Sequence, residues 1–131
     1  MIEGSCHCGA VHWRLSQRPN SATACSCTIC RRYGALWAYG HIDHDIEVTG
    51  ETKAYRREDG GDIDFHFCTN CGSITHYITT HRQENGRVRG AVNLRMSELG
   101  AVSDIPIRHF DGFDRWESLP RDNRTVKDLW F

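Results

Sequence analysis

Cys68-Thr69-Asn70-Cys71-Gly72 has the spacing of a zinc knuckle, in which a tight turn directs two sulfurs towards one ion. The glycine after the second cysteine relieves the backbone strain of such a turn. Because two sulfurs do not complete a tetrahedron, another pair must come from elsewhere in the chain. Cys6-His7-Cys8 is the natural partner if the first strand lies beside the strand that carries Phe67. We therefore predict one closed zinc site made by Cys6, Cys8, Cys68 and Cys71.

A third group of cysteines lies between these two, in Cys25-Ser26-Cys27-Thr28-Ile29-Cys30. It supplies three thiolates from one short loop, so a metal bound there would keep a vacant fourth corner, as catalytic zinc does. The seven cysteines then divide into four and three. The spacing alone does not fix which groups meet, and any four of the seven could form one site and leave three thiols.

The composition is typical of a globular protein, with 39% apolar and 25% charged residues. We expect a single domain over residues 1–131, since the chain is too short for two ordinary cores. The formal net charge of −1 lacks the broad positive footprint of a nucleic-acid-binding protein. Short apolar runs and the absence of a secretory signal pattern predict a cytoplasmic protein with no membrane partner. In that reducing compartment, cysteines more often bind metal or catalyse than form disulfides.

Short stretches of alternating apolar and polar residues predict a mainly β fold of mostly antiparallel strands. The predicted strands are residues 11–15, 36–39, 46–49, 52–56, 63–67, 74–79 and 88–94. Helix signals are few: one turn over residues 28–33 and another over 96–99 that Gly100 ends. Residues 59–62 and 119–123 are predicted loops, and residues 126–131 end in an aromatic pair expected to pack back on the protein.

Taken together, the cysteine motifs resemble those of the glutathione-dependent formaldehyde-activating enzymes, the GFA or CENP-V domain family. The resemblance rests on three blocks in family order, GSCHCGAV at 4–11, CSCTICRRYG at 25–34 and FCTNCG at 67–72. It implies a Mss4-like β-tent fold around a structural zinc. It also implies which cysteines hold metal: Cys6, Cys8, Cys68 and Cys71 the structural zinc, and Cys25, Cys27 and Cys30 a second, catalytic zinc.

The resemblance further implies an activity, the addition of the glutathione thiol to formaldehyde to give S-hydroxymethylglutathione. Written in reverse, this is the reaction of a carbon–sulfur lyase. Zinc at the triplet would bind the glutathione sulfur and lower the pKa of its thiol. Arg31 and Arg32 are placed to pair with a glutathione carboxylate. His109 lies in a segment that resembles the family's C-terminal region near the active-site mouth, and is a candidate for proton transfer or substrate contact.

One position departs from the family pattern, since Ser26 stands where a histidine is common. Serine cannot act as an imidazole beside the metal, which leaves open whether the second zinc is weaker, differently tuned or absent. The second hypothesis is therefore a non-catalytic zinc scaffold that binds a protein partner, as the related Mss4 fold does. A three-thiol group argues against it, because a scaffold has no need of an open site.

The remaining candidate residues are interpreted as structural. His66 shares a strand face with acidic residues and is predicted to be solvated. Asp111 and Asp114 are predicted to form ion pairs with Arg108 or Arg115. The aromatic residues on strands are predicted to be core packing, namely Trp13, Trp37, Tyr39, Phe65, Phe67 and Trp116.

Overall fold

The computed structural model describes residues 1–130 and is mainly β. Eleven strands follow one another within the described residues: β1 (Ile2–Ser5), β2 (His12–Leu15), β3 (Ala22–Cys25), β4 (Trp37–His41), β5 (Ile46–Thr49), β6 (Thr52–Tyr55), β7 (Ile63–Cys68), β8 (Ile74–Thr79), β9 (Arg89–Asn93), β10 (Ile107–Asp111) and β11 (Glu117–Ser118). Two single-turn α-helices, α1 (Cys30–Tyr33) and α2 (Leu99–Val102), and two 3₁₀ turns, Leu94–Met96 and Val126–Leu129, complete the secondary structure.

The strands form two sheets. A three-stranded sheet has the order β1-β2-β5, and an eight-stranded sheet has the order β11-β10-β3-β4-β9-β8-β7-β6. All strand pairs are antiparallel except β3 with β10, which run parallel. β5 belongs to the small sheet and β6 to the large one, so the two-residue connection between them joins the sheets.

The main core contains fully buried apolar side chains from both sheets, including Trp13, Ile46, Val92 and Ile107. Trp13 packs over Gly4, its cross-strand partner, where an added Cβ would lie 2.4 Å from the indole Cζ2. Only glycine leaves room for the ring at this position. Replacing a buried tryptophan with alanine typically costs about 3–5 kcal/mol, which makes this contact a principal anchor of the small sheet.

All seven predicted strands are present, with bounds that differ by at most two residues, and α1 confirms the predicted helical turn at residues 28–33. The second predicted helix, residues 96–99 ending at Gly100, is wrong. The chain instead forms a 3₁₀ turn that ends at Met96, and α2 includes Gly100. Burial of Val102 offsets the poor helix propensity of this glycine, which amounts to about 1 kcal/mol.

Histidine burial on the β7–β8 hairpin also differs from the prediction. His66 is half-buried, and its ring stacks on that of buried His76, with 4.6 Å between centroids. Burial lowers the pKa of His66 from its ordinary value, and it lowers that of His76 to about 3. The prediction failed because His76 is the cross-strand partner of His66 and its ring covers that of His66.

The C-terminal segment agrees with the sequence where it is described. Residues 119–123 contain no helix or strand, and the side chain of Trp130 packs against the main core. The other member of the predicted aromatic pair, Phe131, lies outside the described residues.

Candidate metal centres and an adjoining cavity

The sulfur atoms of Cys6, Cys8, Cys68 and Cys71 all lie within 4.8 Å of one another. The Sγ atoms of Cys6 and Cys8 are 3.6 Å apart, as are those of Cys8 and Cys68. Tetrahedral zinc with bonds of about 2.3 Å requires sulfurs roughly 3.8 Å apart. The four side chains therefore fit a zinc ion, as the sequence predicted.

Two tight turns bring these sulfurs together. In the first, the backbone N–H of Cys6 donates to Val11 O, and Val11 N–H donates back to Cys6 Sγ at 3.2 Å. In the second, Gly72 N–H donates to Cys68 O, and Gly72 adopts a φ of +77° that favours glycine. The predicted reason for this glycine is confirmed.

The strands that precede the two turns do not pair with each other, contrary to the expectation for the first strand. β1 and β2 belong to the small sheet, whereas β7 belongs to the large one. The turns meet because Gly50, just before β6, packs against the first turn, where an added Cβ would lie 2.1 Å from Ala10 O. The four-cysteine cluster thus sits where the two sheets join.

The electrostatics of this cluster are those of a thiolate site. The hydroxyl of Ser73, 3.3 Å from Cys71 Sγ, lowers the pKa of that thiol to about 5. A hydrogen bond from Asn70 lowers the pKa of Cys8, whereas burial raises that of Cys6. Since thiolates are the metal-binding form of cysteine, a cluster with two lowered pKa values is prepared for a cation.

The sulfurs of Cys25, Cys27 and Cys30 form a second cluster, again within 4.8 Å of one another. Cys25 ends β3, and Cys30 begins α1. The backbone N–H of Cys30 donates to Cys27 Sγ at 3.3 Å, and the indole N–H of Trp37 donates to Cys30 Sγ at 3.4 Å. Both hydrogen bonds stabilise negative charge on sulfur, so the cluster fits a metal held by three thiolates.

The three thiols share protons unequally. Hydrogen bonds from Cys25 and Cys30 strongly lower the pKa of Cys27, while hydrogen bonding to its neighbours raises the pKa of Cys30. The pKa of Cys25 is also raised, first by its hydrogen bond with Cys27. One thiolate is therefore favoured, and further deprotonation requires a cation among the sulfurs.

A cavity of about 420 Å³ opens beside this second cluster, and all three cysteines line it. Its other walls include the aromatic rings of Trp37, Phe65 and Tyr77, which contact one another with centroids 4.9–6.0 Å apart. The volume is that of a site for a small molecule. The four-cysteine cluster is closed by its own sulfurs, whereas the triplet faces a space that a ligand can occupy.

Core packing is confirmed for Trp13, Trp37 and Phe65, which are buried in apolar clusters, and is wrong for Trp116. Trp37, Tyr39 and Phe65 line the cavity, and so does Trp116, which is 69% exposed. Trp116 packs edge-on against Phe110 at 5.2 Å and has a φ of +57°, a conformation that a bulky residue rarely adopts. Alternating apolar and polar residues identify the buried face of a strand. They do not show whether that face packs in a core or lines a cavity.

The turn between β10 and β11 passes directly over the triplet. At Gly112, an added Cβ would lie 2.7 Å from Cys25 Sγ and 3.0 Å from Cys27 Cβ. Asp111 shapes this turn by accepting backbone N–H bonds from residues 113, 114 and 115. Within residues 1–130, neither Asp111 nor Asp114 forms the predicted ion pair with an arginine; the ion pair of Arg115 is with Glu117. The side chain of Ser26 also faces this turn, 3.4 Å from Asp111 Oδ1.

The predicted binding residues outside the cysteines are not brought to the cavity. Arg31 and Arg32 are exposed on α1, and neither lines the cavity. Arg32 donates to Thr28 O and borders an adjoining shallow depression. His109 points to the opposite face of β10, where its Nε2 lies 3.1 Å from Asp122 Oδ2. The arginines that line the cavity are instead Arg57, Arg89 and Arg108.

The chain has two sheets that join at a four-cysteine cluster, and it has a three-cysteine cluster beside a cavity. These features define a class of mainly β proteins with two candidate metal centres. Within residues 1–130, no helix is both long and apolar enough to cross a membrane. The family model for glutathione-dependent formaldehyde-activating enzymes matches residues 1–104, and the chain belongs to this family, as its motifs predicted.

Two individual proteins are similar to the chain. A Halomonas elongata protein named "Putative glutathione-dependent formaldehyde-activating enzyme" is 34% identical over 83 residues. That match covers 56% of this chain and 53% of the other protein, so the chain spans about half the length of this curated relative. A crystal structure of a Rhodobacter sphaeroides protein has 27% identity and a TM-score of 0.58, covering 74% of this chain and 88% of that one.

Proposed function

We propose that the protein is a zinc-dependent enzyme that adds a small thiol, glutathione or a related one, to formaldehyde. The observation that carries this proposal is the position of three convergent cysteine sulfurs on the wall of a 420 Å³ cavity. Catalytic zinc sites keep one coordination position for substrate, and a triplet beside a cavity meets that requirement. Membership of a family named for this reaction supports the same proposal.

The proposed reaction forms one carbon–sulfur bond without oxidation or reduction. The sulfur of the thiol attacks the aldehyde carbon, the carbonyl π bond breaks, and the proton lost by the thiol ends on the former carbonyl oxygen. The reverse reaction is that of a carbon–sulfur lyase. Cys25, Cys27 and Cys30 would hold the zinc, which when bound lowers the pKa of a thiol and keeps it as a thiolate at neutral pH.

The protein contributes an apolar wall beside the triplet for this step. Trp37 is 1% exposed and Phe65 is 2% exposed, and both line the cavity. Exclusion of water from such a wall strengthens electrostatic interactions beside it.

Tyr77 is the proposed hydrogen-bond donor to the aldehyde oxygen as it becomes a hydroxyl. Burial raises the pKa of its phenol well above the ordinary value, so the hydroxyl stays protonated at neutral pH. Tyr77 lines the same cavity as Cys25 and Cys30. A protonated hydroxyl in that cavity can donate a hydrogen bond to oxygen as negative charge develops there.

Of the two arginines predicted to bind glutathione, Arg32 has a part in the proposal. The shallow depression that it borders adjoins the cavity, since Ile29 and Arg57 line both. A tripeptide that extends out of the cavity would pass this depression. Arg31, which lines neither space, has no role in the proposed site.

The test compares the wild-type protein with Cys27→Ala and with the exposed control Ser16→Ala. We expect near two zinc ions per chain in wild type and control, and near one in Cys27→Ala with an unchanged circular dichroism spectrum. Formaldehyde consumption with glutathione, followed by NMR, should exceed the spontaneous rate in wild type and control only. A wild-type rate equal to the enzyme-free rate would remove the proposed activity.

The alternative is a non-catalytic scaffold that docks a protein partner. The observation that favours it is the pair of aromatic side chains, Phe113 and Trp116, each 69% exposed, of which Trp116 lines the cavity. This alternative predicts one zinc per chain that Cys27→Ala does not change. The same metal analysis therefore separates the two functions.

A further inference from the structure

Two buried polar atoms lack hydrogen-bond partners among the described residues that line the cavity: Thr23 Oγ1 and Arg108 Nε. Thr23 is only 2% exposed, so its hydroxyl is withdrawn from bulk solvent. An unsatisfied buried polar group costs about 1–3 kcal/mol, and such groups in native proteins call for an explanation. Both residues line the same cavity, so a ligand bound there is the candidate partner for these two groups.

The parallel pairing of β3 with β10 places these two residues side by side. Thr23 and Arg108 are register partners, and Cys25 and Phe110 are the next partners on the same face. All four line the cavity. Two positions along a strand correspond to roughly 6–7 Å. Thr23 and Arg108 therefore lie about that far along the strands from Cys25, whose sulfur belongs to the triplet.

Arg108 carries a charge that nothing in the described structure neutralises. No carboxylate of residues 1–130 lies within ion-pair distance of it, and its guanidinium lies over the ring of Phe110 at 5.8 Å from the centroid. By contrast, Arg57 in the same cavity is held by Asp59 through two hydrogen bonds of 2.8–2.9 Å. Arg89, the third cavity arginine, lies over the ring of Tyr39 at 4.7 Å from the centroid. Among the described residues, Arg108 is the cavity arginine with a buried N–H group that lacks a partner.

We propose that Thr23 and Arg108 form a carboxylate-binding subsite that orients the thiol substrate. The guanidinium and the hydroxyl donate to one carboxylate, while the sulfur of the same molecule reaches the cysteine triplet about 6–7 Å away along the strand. This deepens the proposed function and rests on it for the identity of the cavity as the substrate site. It makes the cavity selective for thiols that carry a carboxylate at that distance.

Arg108 lies beyond residues 1–104, the part of the chain that the family model matches. Its charged member therefore lies outside the matched region, whereas Thr23 on β3 lies inside it and neither residue is part of the shared cysteine motifs. A family member with another residue at this register position would keep the metal centres and lose this selectivity.

Binding is tested first, apart from catalysis, with S-methylglutathione as a probe that cannot react. Quenching of tryptophan fluorescence reports it, because Trp37 and Trp116 line the cavity. Arg108→Gln should weaken binding about 10- to 100-fold, as expected for loss of a hydrogen bond to a charged group. Arg121→Gln, an exposed control outside the cavity lining, should bind as wild type does. The dimethyl ester of the probe should bind Arg108→Gln and wild type equally.

Thr23→Val keeps the inference testable if Arg108→Gln folds poorly. Valine has nearly the shape of threonine and removes an unsatisfied buried hydroxyl, so the melting temperature should stay the same or rise. Probe binding should nevertheless weaken about 3- to 10-fold, corresponding to one neutral hydrogen bond. A merely structural threonine would show the reverse, lower stability and unchanged binding.

The outcomes separate this inference from the proposed function. If wild type binds the probe through Arg108 but does not accelerate formaldehyde consumption, the subsite stands and the proposed reaction fails. If the reaction is present and Arg108→Gln leaves KM for glutathione unchanged, the subsite is refuted and the reaction stands. Equal binding of the probe and its ester to wild type, or no binding of either, also overturns the inference.

Discussion

The four-cysteine and three-cysteine clusters use the same donor atom and the same local support. In each, a backbone N–H donates to a cysteine sulfur, from Val11 to Cys6 at 3.2 Å and from Cys30 to Cys27 at 3.3 Å. They differ in the length of chain that they close. The first joins sulfurs 60 residues apart at the junction of two sheets, whereas the second joins sulfurs within residues 25–30.

Because they close different lengths of chain, the two cysteine clusters have different roles, although both offer the same sulfur ligands. A metal at the first cluster would cross-link distant parts of the chain, so its binding free energy becomes folding free energy. A metal at the second would fix only residues 25–30, which β3 and α1 already hold. The second cluster can therefore keep an open position and lose or exchange its metal without loss of the fold.

The largest expected effect is that of Cys68→Ala. Structural zinc contributes on the order of 10 kcal/mol, which equals the whole stability of a typical domain. We expect this variant to lack a cooperative thermal transition by circular dichroism, whereas Cys27→Ala retains one close to that of wild type. Chelation of the tightly bound zinc from wild type should reproduce the effect of Cys68→Ala. A Cys68→Ala protein that melts like Cys27→Ala would contradict the distinction between the clusters.

An intermediate effect is expected at His76, on the hairpin that carries Cys68 and Cys71. Burial lowers its pKa to about 3, against an ordinary value near 6.5, so the unfolded chain takes up a proton that the folded one excludes. This contribution to stability is complete above pH 6.5 and falls by roughly 3 kcal/mol between pH 6.5 and pH 4.

The measurement is the pH dependence of the free energy of unfolding for wild type and for His76→Gln, which keeps a hydrogen-bonding group near Thr75. Metal release in acid affects both proteins, so the difference between their curves isolates the histidine. That difference should change below pH 6.5 and be constant above it. A constant difference over the whole range would show that His76 titrates normally.

The comparison of the clusters also shows what the sequence can and cannot predict. Both cysteine groupings could be predicted, because sulfur spacing restricts metal geometry and because the motifs of the family are local. The contacts of β10 could not. Its parallel pairing with β3 joins Arg108 to Thr23, 85 positions away, and nothing in the alternation of either strand specifies that partner.

The wrong prediction for Arg31 and Arg32 has the same cause, because contacts between distant strands decide which side chains line the cavity. Arg31 and Arg32 follow the triplet directly in sequence, but α1 turns them outward while distant strands supply the cavity's own arginines. His109 was misplaced by a single position, since on a strand its neighbours Arg108 and Phe110 share the opposite face. Proximity in sequence identifies metal ligands better than it identifies the walls of a cavity.

The smallest expected effect is that of a substitution that disturbs the three-cysteine cluster alone. In Gly112→Ala, the new Cβ would lie 2.7 Å from Cys25 Sγ, so either the β10–β11 turn or the sulfur must move. Overpacking of this kind costs about 1–3 kcal/mol. We expect loss of the second zinc and of formaldehyde consumption, with the four-cysteine zinc retained.

Gly100→Ala provides the matched control, because nothing lies within 4 Å of its added Cβ and it is inside α2. There the alanine should raise the free energy of unfolding by about 1 kcal/mol through helix propensity and leave both metals in place. The same methyl group is thus expected to stabilise at one glycine and to empty a metal site at the other. If Gly112→Ala kept two zinc ions and the wild-type rate, the β10–β11 turn would have no part in holding the triplet. The triplet would then depend only on residues 25–30.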